Sequence, residues 1–187
     1  MSSDNKHSLI ALTGFMGSGK SSVGRALASL LGWKFVDLDG EIELSERRKI
    51  REIFDADGEP RFREVESATL RRVLAEAQRP VVLATGGGTF MENENAEFLR
   101  ANGAIVVFLE TRPEILLRRC FPESGKREEV RPLASDREAF LQLYQLRLVH
   151  YRTADLSVDS NARSPDAVAR DIANRLKQFQ DRCSPAG

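Results

Sequence analysis

One short segment restricts the possible folds of this chain more than any other feature of its sequence. Residues 14–21 read Gly-Phe-Met-Gly-Ser-Gly-Lys-Ser and match the phosphate-loop pattern G-x-x-x-x-G-K-[ST]. An apolar run at residues 9–12 precedes the segment, and residues 22–31 carry apolar side chains at helical spacing. Because the motif binds nucleotides in this strand-loop-helix order, we predict a nucleoside triphosphate site here.

Each part of the motif has a predicted task. Its glycines let backbone N–H groups turn toward phosphates, and the helix that follows adds the positive end of its dipole. We predict that Lys20 reaches the β and γ phosphates and that the Ser21 hydroxyl helps to hold Mg²⁺, which prefers oxygen ligands. An ordinary glycine-rich turn is the alternative. The predicted nucleotide contacts in this segment are Gly14, Met16, Gly17, Ser18, Gly19, Lys20, Ser21 and Ser22.

The composition excludes several classes of protein. A chain of 187 residues fits one α/β domain, and its 28 basic and 28 acidic side chains give no basic excess that would favour nucleic acid. Cys120 and Cys183 lack metal-site spacing, which indicates a reducing compartment rather than a disulfide framework. No apolar stretch is long enough for a membrane span. We therefore expect a soluble, cytoplasmic protein without a membrane or nucleic-acid partner.

Short β-branched segments alternate with helical patterns along the chain. The predicted strands are residues 9–12, 34–37, 81–84, 105–109 and 156–158. The predicted helices are residues 22–31, two or three within 41–78, then 113–120, 137–152 and 165–179, with a polar loop at 121–132 and a frayed tail at 181–187. This order predicts an α/β fold in which a parallel sheet carries helices on both faces and ligands bind at the carboxyl ends of its strands.

Two aspartates lie at the end of the second predicted strand. Asp37 and Asp39 leave the sheet at its ligand-binding edge, on the same side. Asp37 is placed to help hold Mg²⁺, and Asp39, farther out, is placed to accept a hydrogen bond or a proton from a substrate hydroxyl. The alternative for either residue is a helix cap in the turn after the strand.

Two further motifs indicate a pocket for a small anion. Arg63 and Glu66 lie three positions apart in a helical segment and can pair, and a guanidinium held in this way binds a carboxylate through two hydrogen bonds. Gly86, Gly87 and Gly88 follow the third predicted strand, where a ligand has to approach the backbone. A surface ion pair and a plain flexible turn are the respective alternatives.

Together these segments resemble shikimate kinases. The resemblance rests on the phosphate loop with Ser22-Val23-Gly24, Asp37-x-Asp39, Phe62-Arg63-x-x-Glu66, the glycine triplet, Arg131-Pro132-Leu133 and Arg147-x-x-x-Tyr151, in that order over residues 9–176. It implies transfer of the γ-phosphoryl group of ATP to the 3-hydroxyl of shikimate, in aromatic amino-acid biosynthesis. It also implies a three-layer P-loop kinase fold of strand order 2-3-1-4-5, with a helical substrate-binding insert at about residues 38–75 and a lid at about residues 120–133.

The resemblance also implies residue roles. Lys20, Asp39 and Arg131 would be catalytic, with Asp39 as the base on the shikimate hydroxyls and Arg131 neutralising the transferring phosphoryl group. Arg63 and Arg147 would clamp the carboxylate beside the backbone of Gly86, Gly87 and Gly88. Arg119, Arg163 and Pro165 would surround adenine. We expect a monomer that uses ATP and Mg²⁺.

Some positions depart from the family pattern, and two alternatives stay open. The segment between Arg119 and Arg131 is long, and Leu148-Val149-His150 replaces a frequent proline-containing stretch. Thr89-Phe90-Met91 is bulky, which allows for a change at the rim of the substrate pocket. A related small-molecule kinase, such as a gluconate kinase, would use the same phosphate loop. A catalytically silent domain that only binds its ligands is the other alternative.

Overall fold

The strand order agrees with the expected one. The structure, a computed structural model, describes residues 8–121 and 137–183, with side chains to residue 179. Within these ranges five parallel strands form one sheet in the order β2-β3-β1-β4-β5. They are β1 (Leu9–Thr13), β2 (Lys34–Asp37), β3 (Val81–Ala84), β4 (Ala104–Glu110) and β5 (Leu156–Asp159). The prediction of the strands is confirmed to within one residue at each end.

Helices connect the strands, as the alternation predicts. They are α1 (Lys20–Leu31), α2 (Leu38–Glu46), α3 (Ile50–Glu76), α4 (Asn93–Ala101), α5 (Pro113–Cys120), α6 (Arg137–Tyr151) and α7 (Pro165–Cys183). Gly58 interrupts α3 with non-helical backbone angles, φ 79° and ψ 172°, so that α3 consists of two helical parts. Helix α4 and the 3₁₀ turn Thr89–Met91 before it were not predicted, and α7 continues through Cys183, where a frayed tail was expected from residue 181.

Alternating residues of the central strand face opposite layers of the core. Leu9 and Ala11 pack with buried side chains of α2, α3 and α4. Ile10 and Leu12 pack with α1 and α7 on the other face of the sheet. This period of two is what a strand buried on both faces requires. A third cluster, which includes Phe15, Phe108 and Tyr151, lies where α5 and α6 meet the phosphate loop.

The register of the sheet brings two loops together at its carboxyl edge. Leu12 of β1 pairs with Ala84 of β3, so the phosphate loop and the glycine triplet leave the sheet side by side. The next residue, Thr85, donates both its backbone N–H (3.1 Å) and its hydroxyl (3.0 Å) to the Leu12 carbonyl oxygen. The two candidate ligand-binding loops are thus tied to each other through one backbone oxygen.

In the part of the chain with described coordinates, none of the helices combines the length and the apolar character that a bilayer crossing would need.

Gly24 makes the closest approach between α1 and the sheet. A Cβ atom added there would overlap the ring of Phe35 on β2, and it would lie 3.3 Å from Cδ1 of Leu12. Helix α1 carries the phosphate loop at its N-terminus, so this contact sets the distance between the loop and β2. A side chain at position 24 would have to push these elements apart.

We predict that Gly24→Ala destabilises the fold by about 1–3 kcal/mol, because the strain of overpacking exceeds the gain in helix propensity of roughly 1 kcal/mol. Urea unfolding followed by circular dichroism measures the change. Gly40→Ala in α2 is the matched control, since the atom nearest to its added Cβ is Asp37 Cβ at 3.8 Å, an ordinary contact. Equal stability changes in the two variants would contradict the prediction.

Candidate active site

The phosphate loop has the backbone that its glycines were expected to permit. Gly14, Gly17 and Gly19 have φ values of 147°, 79° and 94°, which other residues rarely adopt. Lys20 begins α1, and its Nζ donates to the carbonyl oxygens of Gly14 (2.8 Å) and Phe15 (3.1 Å). The amine is therefore buried inside the loop, at the position from which a phosphate oxygen would be contacted.

One buried hydroxyl of the loop has no hydrogen-bond partner in the described part of the chain. The Oγ atom of Ser18 makes no hydrogen bond to any group within residues 8–121 and 137–183. Buried hydroxyls are nearly always paired, so an unpaired one in a loop of this kind favours an anion as its missing partner. Ser18 was predicted to contact phosphate, and its surroundings agree with that role.

A cavity of about 230 Å³ opens beside the phosphate loop. Its wall combines the loop with residues from the ends of α5 and α7, and it includes Gly17, Ser18, Gly19, Ser22, Arg119, Arg163 and Pro165. Arg119 donates to the carbonyl oxygen of Gly17 (2.8 Å). The structure therefore brings the three predicted adenine contacts into one cavity beside the phosphate loop.

Arg163 is held in this wall by an acidic partner on α7. Its guanidinium donates to the carboxylate of Asp171 (2.9 Å) and to the carbonyl oxygens of Asp159 and Ala167. Arg175 donates to the other oxygen of Asp171. Partial burial opposes the charge of Asp171, but the hydrogen bonds from the two arginines outweigh it and lower the pKa of this carboxyl. The network holds the Arg163 guanidinium in place.

A second cavity, of about 580 Å³, lies on the other side of the loop. It contains every predicted substrate contact together with both predicted metal ligands and Met16 of the loop. The predicted residues in its wall are Met16, Ser21, Asp37, Asp39, Arg63, Gly86, Gly87, Gly88 and Arg147. Residues from β2, α1, α2, α3, α6 and two loops thus converge on one volume.

The two aspartates occupy the same cavity but different elements. Asp37 ends β2, as predicted, and Asp39 lies in the first turn of α2, which begins earlier than the expected helical segment 41–78. In the described part of the chain the Asp37 carboxylate makes no capping hydrogen bond to α2, although it stands at the cap position. Helix capping therefore does not account for Asp37, and its carboxylate faces the cavity that Ser21 shares.

Arg63 forms a buried ion pair with Glu66. Nη1 of Arg63 lies 2.8 Å from Oε2 of Glu66, and the two side chains are only 18% and 1% exposed. Thr89 donates to the other carboxylate oxygen of Glu66 (2.6 Å), and Nη2 of Arg63 pairs with the exposed Glu59 (2.8 Å). The surface-pair alternative for Arg63 is thus wrong, because the pair lies in the wall of the cavity.

Burial opposes the charged form of both members of this pair. Loss of hydration raises the pKa of Glu66, and the nearby charge of Asp39 acts in the same direction, against the attraction of Arg63. For Arg63, burial opposes the charged form, but the attraction of Glu66 and the bonds to Glu59 outweigh it and raise the pKa of the guanidinium. Arg63 therefore stays cationic and is held where an anion can reach it.

The glycine triplet is packed against these charged groups. A Cβ at Gly86 would lie 2.5 Å from Oε1 of Glu66 and 2.9 Å from Oδ1 of Asp39, and a Cβ at Gly88 would overlap the Arg63 guanidinium. Glycine is required because charged side chains approach the backbone closely. The alternative of a plain flexible turn does not account for these contacts.

Helix α6 supplies the second arginine and a residue whose role was not predicted. Arg147 is buried, lies over the Phe15 ring at 5.7 Å and donates to the Gly87 carbonyl oxygen (3.3 Å). The hydroxyl of Tyr151 donates to the same oxygen. The four-residue spacing of the Arg147-x-x-x-Tyr151 motif places both side chains on one helix face, a signal that was available in the sequence.

Two expectations about the rim of the site have different outcomes. Thr89 and Phe90 were expected as bulky residues that could change the substrate pocket. Both are buried: Thr89 donates a hydrogen bond to Glu66, and Phe90 packs in the core. Arg131, with most of the predicted lid at residues 120–133, lies outside the described residues.

Comparison with known proteins agrees with this geometry. A family model described as shikimate kinase matches residues 16–177. A shikimate kinase from Persephonella marina is 38% identical over 169 residues, which cover 90% of this chain and 98% of that protein. One from Moorella thermoacetica is 41% identical over 172 residues, which cover 91% of this chain and 95% of that protein.

A solved structure is also similar along nearly the whole chain. The shikimate kinase from Acinetobacter baumannii, in complex with shikimate, has a TM-score of 0.84 and 34% identity, and the match covers 92% of this chain and 94% of that one. The family match, over residues 16–177, includes the residues that line both cavities and the strands β2 to β5. On this combined evidence, the chain belongs to the shikimate kinase family.

Proposed function

We propose that this chain transfers the γ-phosphoryl group of ATP to the 3-hydroxyl of shikimate, giving shikimate 3-phosphate and ADP in the pathway to chorismate. One observation carries the proposal: Arg63, Arg147 and Asp39 line the same cavity as Ser21 of the phosphate loop. Two guanidinium groups suit the single carboxylate of shikimate, and one aspartate suits its hydroxyls. Family membership supports the same reaction.

The phosphate loop would bind ATP by exchanging internal contacts for phosphate contacts. Lys20 now donates to the carbonyl oxygens of Gly14 and Phe15, and a phosphate oxygen would replace them as acceptor. Ser18 would gain the partner that its buried hydroxyl lacks among the described residues. The adenine base would lie in the smaller cavity against Arg119, Arg163 and Pro165.

Ser21 and Asp37 fit a magnesium ion. Both offer oxygen atoms to one cavity beside the phosphate loop, and oxygen is the ligand type that this hard cation prefers. Within the described ranges no group of three acidic, histidine or cysteine side chains is placed to hold a metal ion by itself, so the phosphates and water would complete the coordination. When bound, the ion neutralises charge on the β and γ phosphates.

The residues of the chain would act mainly by alignment. Arg63, Arg147 and the glycine triplet would hold the carboxylate end of shikimate, so that one ring hydroxyl faces the terminal phosphate. Asp39 would orient this hydroxyl and accept its proton late in the transfer. Lys20 would stabilise the charge that develops on the phosphoryl oxygens. Phosphoryl transfer needs little covalent participation from the protein, so such placement supplies most of the rate enhancement.

Other parts of the proposal concern the whole enzyme. Arg131 is proposed as the lid residue that neutralises the transferring group, with the lid at about residues 120–133 and the substrate-binding insert at about residues 38–75. We also propose that the enzyme acts as a monomer in the cytoplasm.

The substrate is tested by a coupled assay of ADP release with ATP and shikimate, gluconate or nucleoside monophosphates. We expect turnover with shikimate alone. Gluconate also carries a carboxylate, so turnover with gluconate and not shikimate would overturn the proposal in favour of the gluconate kinase alternative. Binding of ATP and shikimate by calorimetry without turnover would instead indicate the catalytically silent domain.

We predict that Asp39→Asn lowers kcat with shikimate by about 10²–10⁴-fold, because the hydroxyl loses its proton acceptor. Affinity for ADP should stay within about twofold, since Asp39 is not in the wall of the nucleotide cavity. Steady-state kinetics and calorimetry measure the two effects. Asp166→Asn, at an exposed position of α7, is the control for removal of a carboxylate. Full turnover by Asp39→Asn would show that Asp39 is not the base.

We predict that Glu66→Gln raises the KM for shikimate about tenfold at neutral pH, because Arg63 loses a charged hydrogen-bond partner. In the folded wild-type enzyme the raised pKa of Glu66 means that it takes up its proton at a higher pH than ordinary glutamate. The KM of Glu66→Gln divided by the KM of the wild type should therefore fall toward one as the pH is lowered. Titration of the substrate carboxyl is common to both proteins and cancels in this ratio, and a ratio independent of pH would contradict the prediction.

A further inference from the structure

Helix α6 holds the middle of the glycine triplet through one backbone oxygen. The carbonyl oxygen of Gly87 accepts hydrogen bonds from the Tyr151 hydroxyl and from Nη1 of Arg147, the latter at 3.3 Å. Both donors come from the last two turns of α6, so this carbonyl points toward that helix. No part of the reaction described above uses the Tyr151 hydroxyl.

The direction of this carbonyl determines the direction of the next amide. In a trans peptide the C=O of one residue and the N–H of the next point to opposite sides. A Gly87 carbonyl directed at α6 therefore turns the Gly88 N–H away from α6. Among residues 8–121 and 137–183, no acceptor is bonded to the N–H groups of Gly87 and Gly88, and both residues line the larger cavity. Unpaired amides beside two arginines are suited to an anion or a hydroxyl oxygen.

Tyr151 is a rigid and permanently neutral donor. Its side chain has no exposed surface, and its ring stacks on Phe108 at 5.2 Å with an interplanar angle of 21°. Burial raises the pKa of the Tyr151 hydroxyl far above its ordinary value, although Arg147 acts against this. The hydroxyl therefore keeps its proton, and keeps donating it to Gly87, across the pH range in which an enzyme works.

The two donors differ in what else they have to do. In the proposed function Arg147 binds the substrate carboxylate, and its bond to Gly87 is long for a hydrogen bond. When Arg147 turns to the substrate, the Gly87 carbonyl needs another donor, because a buried carbonyl without one is costly. Tyr151 already supplies that donor, so Arg147 is released at little cost.

We propose that Tyr151 is a positioning residue for substrate binding. Its hydroxyl holds the Gly87 carbonyl on the α6 side, which turns the Gly88 N–H toward the substrate cavity and leaves Arg147 available for the carboxylate of the substrate. This inference rests on the proposed function, since it takes shikimate as the occupant of the cavity. It adds to that function a residue that touches neither substrate nor nucleotide.

Tyr151→Phe tests the inference by removing only the hydroxyl. We expect the KM and the calorimetric Kd for shikimate to rise about fivefold, the usual scale for one hydrogen bond, while kcat and the KM for ATP stay within about twofold. A merely structural defect would lower the active fraction and the melting temperature without a selective change in shikimate affinity. Tyr144→Phe is the matched control, because its hydroxyl also donates from α6 to a backbone oxygen, that of Thr111 (3.2 Å).

The outcomes separate the two proposals. If the wild-type enzyme does not phosphorylate shikimate, the proposed function fails. If the wild type phosphorylates shikimate but Tyr151→Phe binds shikimate as tightly as the wild type, the inference is overturned. It is also overturned if Tyr144→Phe loses as much affinity for shikimate as Tyr151→Phe. Should Tyr151→Phe not fold, amide hydrogen exchange of ¹⁵N-labelled wild-type protein decides: protection of the Gly88 amide by shikimate supports the inference, and exchange at an unchanged rate overturns it.

Discussion

The pairing of β1 with β3 is the constraint on which the whole site depends. Their register sets Leu12 opposite Ala84, and Thr85 then donates two hydrogen bonds to the Leu12 carbonyl oxygen. The phosphate loop and the glycine triplet start from this point, so the distance between the nucleotide end and the substrate end of the site is determined by backbone geometry. A slip by one residue would also move every side chain of one strand to the opposite layer of the core, which makes this register hard to change.

The charged pair on α3 is stable only because several separate segments enclose it. Removing a carboxylate and a guanidinium from water is unfavourable, and such pairs persist where further hydrogen bonds complete them. Here Thr89 donates a hydrogen bond to Glu66, and Glu59 forms a second ion pair with Arg63. Gly86 and Gly88 have no side chains, so the charged groups can lie close to the backbone. A charged wall assembled in this way suits a small, polar, anionic substrate better than an apolar one, which agrees with membership in the shikimate kinase family.

Local patterns predicted the strands, the phosphate loop and the pairing of Arg63 with Glu66, since each of these depends on neighbours a few residues apart. Burial of that pair could not be predicted, because Thr89 and the glycine triplet reach it from a distant part of the sequence. Helix α4 was missed because its sequence, Asn-Glu-Asn-Ala-Glu-Phe-Leu-Arg-Ala, is short and mostly polar. Asp39 was expected between the second strand and a helical segment that starts at residue 41, whereas α2 begins directly after Asp37. The contact of Tyr151 with Gly87 depends on how α6 packs, which no local pattern encodes.

The internal hydrogen bonds of Lys20 have a consequence for the catalytic cycle. The amine is bonded to the carbonyl oxygens of Gly14 and Phe15 within its own loop. An ammonium group buried without acceptors would be strongly unfavourable, and the loop would rearrange to expose it to water. With these two acceptors at hand, the loop keeps its shape between turnovers, and an incoming nucleotide meets a preformed cradle instead of one that it has to fold.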